Sequence, residues 1–320
     1  SAGNTVAVKM PGQTALVANL VSRIIAEVTS LPRGVVNIFT ESGNTGAPYL
    51  VASPDVQVIS YTGSTTVGRL VAANGAPTLK RMNLELGGKT PMIVFDDANL
   101  DTAVPLLAAG VTTFAGEFCM TGSRILVQRG AADEVKARLA SIFESIRLGN
   151  GLDPATEMGP LIDKADVARV DGIVEAALAY AKPIVRGGPA TEGDLARGAF
   201  YRPTLLEVDD VTSDVVQNEI FGPVATFETF DTESEAIWRA NATEYGLAAG
   251  VFTNDINISR RVSSEVHAGT IWTNTWAVVN DSFAEGGFKQ SGLGRLRGPL
   301  ALAEFQEAKT VVHSIAPHND

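Results

Sequence analysis

Cysteine is almost missing from this 320-residue chain, which holds Cys119 and no other. An internal disulfide is therefore excluded, which fits a reducing compartment and makes the cytoplasm the expected location. Histidine is nearly as scarce, limited to His267, His313 and His318, so a zinc site built from Cys and His is not expected. No apolar run reaches the roughly 18–20 residues of a membrane span, and no signal peptide is read at the N-terminus. Positive charge is in deficit, with 25 Lys and Arg against 36 Asp and Glu and a formal net charge of −11. The basic residues are dispersed and no aromatic-rich basic face forms, which argues against nucleic acid as a partner. Repeats and low-complexity tracts are also missing. What is present is 45% apolar, enough for a sizeable core in about two domains.

The single thiol sits in Thr113–Ile125, Thr-Phe-Ala-Gly-Glu-Phe-Cys-Met-Thr-Gly-Ser-Arg-Ile. A helix with Asp101 as its N-cap and Ala103, Val104, Leu107, Ala108 and Val111 on one face leads into the stretch, and the apolar run Ile125-Leu126-Val127 leaves it. Gly116 and Gly122 bracket it. A thiol on a Gly-flanked turn suits a nucleophile. Taken alone, it equally suits a small buried hydrophobe.

Before it, Gly3–Lys9 reads as a buried strand stopped by Pro11-Gly12. Thr14–Thr29 has Leu16, Val17, Leu20, Val21, Ile24, Ile25 and Val28 at helical spacing, and Pro32 and Gly34 end it. A strand at Val35–Phe39, a Gly-rich turn at Glu41–Gly46, a short helix and a strand at Val56–Tyr61 follow. This order predicts βαβ units and a parallel sheet in an α/β fold. Further on, strands are expected at Pro91–Phe95, Arg124–Gln128, Thr226–Phe230, Ala249–Phe252 and Gly269–Asn274. Helices are expected at Ala131–Ser145 and Lys164–Tyr180, joined by the loop Gly149–Pro160. The Gly-rich residues 281–299 predict an irregular surface segment. Lys309–Ser314 predicts a late strand suited to edge pairing with another subunit. A domain boundary is placed near Leu86-Gly87-Gly88.

Three further segments carry chemistry. Tyr61-Thr62-Gly63-Ser64-Thr65-Thr66-Val67-Gly68 follows a strand and opens a helix, where backbone N–H groups and the Ser64 hydroxyl can bind a phosphate. Its spacing is neither that of G-x-G-x-x-G nor that of a P-loop, and an ordinary βα turn reads the same way. In Asn83-Leu84-Glu85-Leu86-Gly87-Gly88-Lys89, a carboxylate between two leucines is partly desolvated, which raises its pKa toward that of a base. In Asn218-Glu219-Ile220-Phe221-Gly222-Pro223, a carboxylate suited to ribose hydroxyls adjoins a ring suited to a flat heterocycle. Each of the last two, by itself, also reads as a plain strand end or packed turn.

In combination they are far more specific. The cysteine follows Glu85 by 34 residues and Glu-Ile-Phe-Gly-Pro follows the cysteine by 100. That order resembles the aldehyde dehydrogenase superfamily over essentially the whole chain. Tyr245-Gly246-Leu247, Gly269-Thr270-Ile271-Trp272-Thr273-Asn274 and Gly287-Phe288-Lys289-Gln290-Ser291-Gly292 resemble its other markers.

The resemblance implies a partial Rossmann-type dinucleotide-binding domain over 1–86, a catalytic domain over 87–280, and a return segment with a C-terminal oligomerisation strand over 281–320. It implies that Cys119 is the nucleophile, Glu85 the general base, and NAD or NADP the cofactor. Lys9 matches the lysine at the adenosine ribose, Gly63 and Ser64 the pyrophosphate turn, Glu219 the nicotinamide-ribose carboxylate, and Phe221 the ring beside the nicotinamide. The backbone N–H of Cys119 matches one oxyanion donor. Thiolate attack on an aldehyde would give a thiohemiacetal, then a thioester after hydride loss, then the acid.

The match also has departures. Family members are considerably longer at the N-terminus, so the first strands of the cofactor domain, an asparagine donor and a subunit-pairing hairpin are expected to be missing. Loss of one oxyanion donor slows kcat by about 10²–10³. Without the hairpin, the Lys309–Ser314 strand is expected to lack its usual partner edge, which would alter quaternary structure. Gly12 stands where NAD-preferring members often carry a glutamate, which leaves NADP open. Ala284-Glu285 replaces the usual Pro-Phe and puts an acid near the substrate mouth. Phe118, Trp276 and Phe283 are expected to line the pocket, which favours benzaldehyde-like substrates such as salicylaldehyde by stacking. A cofactor-independent cysteine esterase and a non-catalytic binding remnant are the alternatives.

Overall fold

The computed structural model describes residues 2–314. It opens with β1 (Val6–Met10), α1 (Ala15–Glu27), β2 (Val36–Thr40), α2 (Gly46–Ala52), β3 (Val58–Thr62), α3 (Thr65–Gly75) and β4 (Arg81–Glu85). β1 and β2 pair in parallel as a two-stranded unit, while β3 and β4 pair in parallel in a second sheet. The sequence gives these strands turn residues at both ends and helices between them, and parallel pairing is the arrangement such crossovers allow.

From there the chain builds one large sheet. Its elements are β5 (Pro91–Val94), α4 (Leu100–Thr112), β6 (Arg124–Gln128), α5 (Ala132–Ser145), α6 (Lys164–Ala177) and β7 (Lys182–Val185). A small ribbon, β8 (Gly188–Pro189) with β9 (Tyr201–Arg202), leads to β10 (Thr204–Glu207), α7 (Asp214–Gln217), β11 (Val224–Phe230) and α8 (Glu233–Asn241). Next come β12 (Tyr245–Gly246), β13 (Ala248–Phe252), α9 (Ile256–Glu265), β14 (Thr270–Thr273), β15 (Phe288–Lys289), β16 (Gly292–Leu293) and α10 (Gly298–Ala303). The seven strands run in the order β14-β13-β5-β6-β11-β10-β7. All neighbours are parallel except β7, which lies antiparallel on β10.

The central strands of this sheet are buried on both faces. Met92, Ile93, Ile125, Leu126, Ala225 and Phe227 are each 0% exposed, which is why they read as continuous apolar runs rather than as alternation. α4 and α5 pack on one face through Val104, Leu107, Val135 and Leu139, and α8 and α9 pack on the other through Ala236 and Val262.

The structure corrects four expectations. β1 is not buried, because it has β2 as its only neighbour and every residue in it is intermediate or exposed. The cap of α4 is Asn99, whose side chain accepts the Asp101 N–H, so Asp101 lies in the first turn. Residues 281–299 are not simply irregular: β16 pairs antiparallel with β4 at Gly292–Glu85, and β15 pairs with β12. Lys309–Ser314 forms no strand, since a single extended segment has no ladder unless another edge meets it. Among the described residues, no helix is long and apolar enough to cross a membrane.

Candidate active site

Cys119 lies just beyond α4, on a turn the backbone reaches by an unusual route. Phe114, Ala115 and Gly116 follow one another at φ of 52°, 54° and 73°. Left-handed conformations at two non-glycine residues store about 1–3 kcal/mol each, so the surroundings must hold them. Gly116 is required because a Cβ there would come within 2.2 Å of the Gly222 carbonyl. The Thr121 hydroxyl donates to the Gly116 carbonyl at 3.1 Å, and the Ile162 N–H donates to the Glu117 carboxylate at 2.9 Å. Trp276 Nε1 donates to the Met120 carbonyl at 3.0 Å on the far side.

Three carboxylates surround the thiol. Burial, then Glu285, Glu219 and Glu85, push its pKa up to about 11, while its own backbone N–H opposes the shift. Glu85, at the end of β4, is pushed up to about 7 by burial and by Glu285, with Arg295 pulling the other way. Its Oε1 is buried without a hydrogen-bond partner, which leaves a lone pair for a water or a substrate proton. Glu219 accepts the Gly88 N–H at 3.1 Å. Burial raises its pKa, while the Gly88 N–H, Lys89 and Arg169 hold it down. Gly87 is needed beneath it, since a Cβ there would lie 2.4 Å from its Oε2.

Glu219, Phe221 and Phe118 line one cleft together with Gly88, Gly116 and Thr121. Phe221 is left-handed at φ 54° and 41% exposed, so one side of the ring is open to a flat partner. Phe118 meets Trp276 edge-to-face at 6.0 Å and Phe114 at 5.8 Å. The three rings form a ramp from the 71% exposed Phe114 down to the 9% exposed Trp276. Phe283 remains 71% exposed and is not one of these ring pairs.

The phosphate-turn and ribose residues lie on the first two sheets. Ser64 caps α3, its Oγ accepting the Val67 N–H at 3.3 Å. Tyr61 covers Gly63, where a Cβ would sit 2.1 Å from the phenol oxygen. Gly63 N–H donates to the Glu85 carbonyl at 3.0 Å, which links this turn to the end of β4. Lys9 lies near Glu41, whose carboxylate accepts the N–H groups of Thr45, Gly46 and Ala47 at the start of α2 and is held low by them. Gly12 lies beside the same residue, its absent Cβ 3.0 Å from the Glu41 carbonyl. These groups fit a dinucleotide: the first N–H groups of α3 suit a pyrophosphate, and the free oxygen of Glu219 suits a ribose hydroxyl.

Residues 1–311 match the model of the aldehyde dehydrogenase family. The chain belongs to that family. It is 40% identical over 313 residues to the betaine aldehyde dehydrogenase of Sinorhizobium fredii, covering 97% of this chain and 63% of that protein. It is 39% identical over 314 residues to an aldehyde dehydrogenase of Emericella nidulans, covering 97% and 62%. The crystal structure of Staphylococcus aureus betaine aldehyde dehydrogenase in complex with NAD+ superposes with a TM-score of 0.91 at 37% identity, covering 94% of this chain and 60% of that one. The chain thus spans somewhat over three-fifths of the length of such relatives.

Sequence reasoning missed several residues at this site. Phe114 is visible as an aromatic in the cysteine stretch, but its left-handed backbone is not. Arg169, on α6, reaches the Ile220 and Phe221 carbonyls from 51 and 52 residues away, and no spacing signals that. Lys89 is 2% exposed with its Nζ unpaired, and burial together with Arg124 brings it down to about 7 against the pull of Glu219 and Glu228.

Proposed function

We propose that this chain oxidises an aldehyde to the carboxylic acid through a covalent Cys119 intermediate, with NAD or NADP as hydride acceptor. The observation that carries this reading is the nearness of Glu85 and Glu219 to Cys119, with Glu219 bonding the Gly88 N–H where Gly88 meets the Cys119 carbonyl and an oxygen of Glu85 left unpaired. The Cys119 thiol gives its proton to Glu85, which passes it to solvent, as the sulfur adds to the aldehyde carbon, and the carbonyl oxygen becomes an oxyanion that the Cys119 backbone N–H can meet. Bound nicotinamide would accept the hydride whose loss turns the thiohemiacetal into a thioester. Glu85 takes a proton from water as that water attacks the thioester, releasing the acid and the free thiol. Lys9, Ser64, Glu219 and Phe221 would hold the cofactor, with residues 1–86 as the cofactor domain, which also brings Glu85, and 87–280 as the catalytic domain that brings Cys119.

The ramp of Phe114, Phe118 and Trp276 favours a flat aromatic aldehyde of the benzaldehyde or salicylaldehyde type. A quaternary-ammonium aldehyde is the second reading. It is favoured by the betaine aldehyde dehydrogenase names of the relatives, and by aromatic rings next to Cys119, since ring faces attract cations.

Steady-state formation of reduced cofactor, with benzaldehyde, betaine aldehyde and an aliphatic aldehyde against NAD and NADP, tests both. Saturable turnover that disappears in Cys119→Ser supports the oxidation and ranks the substrates. Ester hydrolysis without any cofactor reduction would leave a cysteine esterase instead.

A further inference from the structure

The α6 helix reaches the Glu219–Gly222 loop through one side chain. Arg169 Nη1 donates to the Ile220 carbonyl at 2.8 Å and Nη2 to the Phe221 carbonyl at 3.3 Å, while Nε donates to Asp166 at 2.6 Å. The chain just ahead of α6 meets Glu117, two residues before the nucleophile, whose carboxylate accepts the Ile162 N–H at 2.9 Å. The Val170 side chain of α6 packs on Gly222, and the Gly222 backbone lies against Gly116. A planar guanidinium that forks over two carbonyls fixes their spacing in a way a lysine does not.

We propose that Arg169 is a positioning residue that ties the Glu219–Gly222 loop to the Phe114–Cys119 loop, through its fork on Ile220 and Phe221 beside the Gly222–Gly116 contact and through its place on α6, whose lead-in residue Ile162 bonds Glu117. The tie holds two strained segments in register: left-handed Phe221 on one side, and left-handed Phe114 and Ala115 on the other. Naming the first segment the cofactor loop rests on the oxidoreductase reading above. The mechanical tie does not.

The test uses the whole chain without cofactor. Amide hydrogen exchange is followed over 114–119 and 219–222, and the rate of Cys119 alkylation by iodoacetamide is measured, in Arg169→Gln, Arg169→Lys, Glu117→Gln and the Arg169→Gln/Glu117→Gln double variant. Arg169→Gln is expected to speed exchange in both segments by about tenfold, the size of losing a charge-assisted hydrogen bond, and to change alkylation by a similar factor. Exchange in β11 serves as the control and should stay at the wild-type rate. Arg169→Lys, which keeps the charge and loses the fork, should fall between. The double variant should show less than the product of the two single effects.

Faster exchange confined to 219–222 with alkylation unchanged, or single effects that simply multiply, would overturn the tie. If Arg169→Gln does not fold, Arg169→Lys and Glu117→Gln decide by the same criteria. Coupling found in a chain that reduces neither NAD nor NADP would uphold the tie and remove only the functional reading.

Discussion

Glu85 shows how a single residue can be legible in sequence and still owe its character to the fold. The motif marks it as a carboxylate at a strand end between leucines. The fold adds the opposing β16 strand and the nearby Glu285, which together with burial bring it to about 7. Thioester or ester hydrolysis should therefore rise with pH through a midpoint near 7, and the step should vanish in Glu85→Gln. A flat profile in the wild type would exclude Glu85 as the base. The linkage to stability has the matching sign. Between the ordinary value of 4.5 and about 7, the folded chain keeps a proton that the unfolded chain releases. Glu85 thus contributes stability below pH 4.5 that is lost as pH rises toward 7. Cys119 offers a second check. Glu285 is the largest charge opposing its ionisation, so Glu285→Gln should speed alkylation of the thiol at neutral pH. An unchanged rate would mean that Glu285 does not act on the thiol. The sequence stretch identified Cys119, whereas Phe114, Glu117 and Arg169 depend on backbone signs and long-range contacts that no local pattern encodes.

At the scale of elements, the strands that carry the site were readable because burial on both faces leaves unbroken apolar runs. β6 matches the sequence reading at both ends, Arg124–Gln128. β10, four residues between prolines and acids, and the polar helices α8 and α9 lack such runs and escaped notice. β6 is also where a charge is spent on the interior. Arg124 and Glu228, at 0% and 1% side-chain exposure, form a two-fold hydrogen-bonded pair at 2.8 and 2.7 Å, and Arg124 also donates to the Arg239 carbonyl. Removing Arg124 leaves the buried Glu228 with only the Thr226 hydroxyl and an Arg239 guanidinium 3.8 Å away, so Arg124→Met should destabilise the chain by about 3–5 kcal/mol. Denaturant melting measures this, and a loss below about 1 kcal/mol would contradict the account of the pair.

For the whole molecule, spacing predicted that α1 is a helix but not which of its faces is covered. Leu16, Leu20 and Ile24 are 89%, 55% and 55% exposed, and only Ala18 of α1 is buried. Amphipathic periodicity assumes a core on the apolar side, and here that side is open. A contiguous exposed apolar stripe promotes association. Leu16→Ser, Leu20→Ser and Ile24→Ser should each leave stability within about 0.5 kcal/mol, while sedimentation shows less self-association in the triple variant. A large loss of stability would instead mean that the face is packed in solution. The family was legible across the whole chain because its markers lie on the turns that build the cleft. The substrate was not, because the ring ramp depends on the left-handed route through Phe114.

The most direct test of the account is intact-protein mass measurement of Glu85→Gln mixed with aldehyde and cofactor. The account predicts that acyl-enzyme accumulates as a single adduct of the acyl group on Cys119, and that the adduct is absent when Cys119→Ser is added. Cofactor reduction with no adduct on Cys119, or an adduct on another residue, would contradict it.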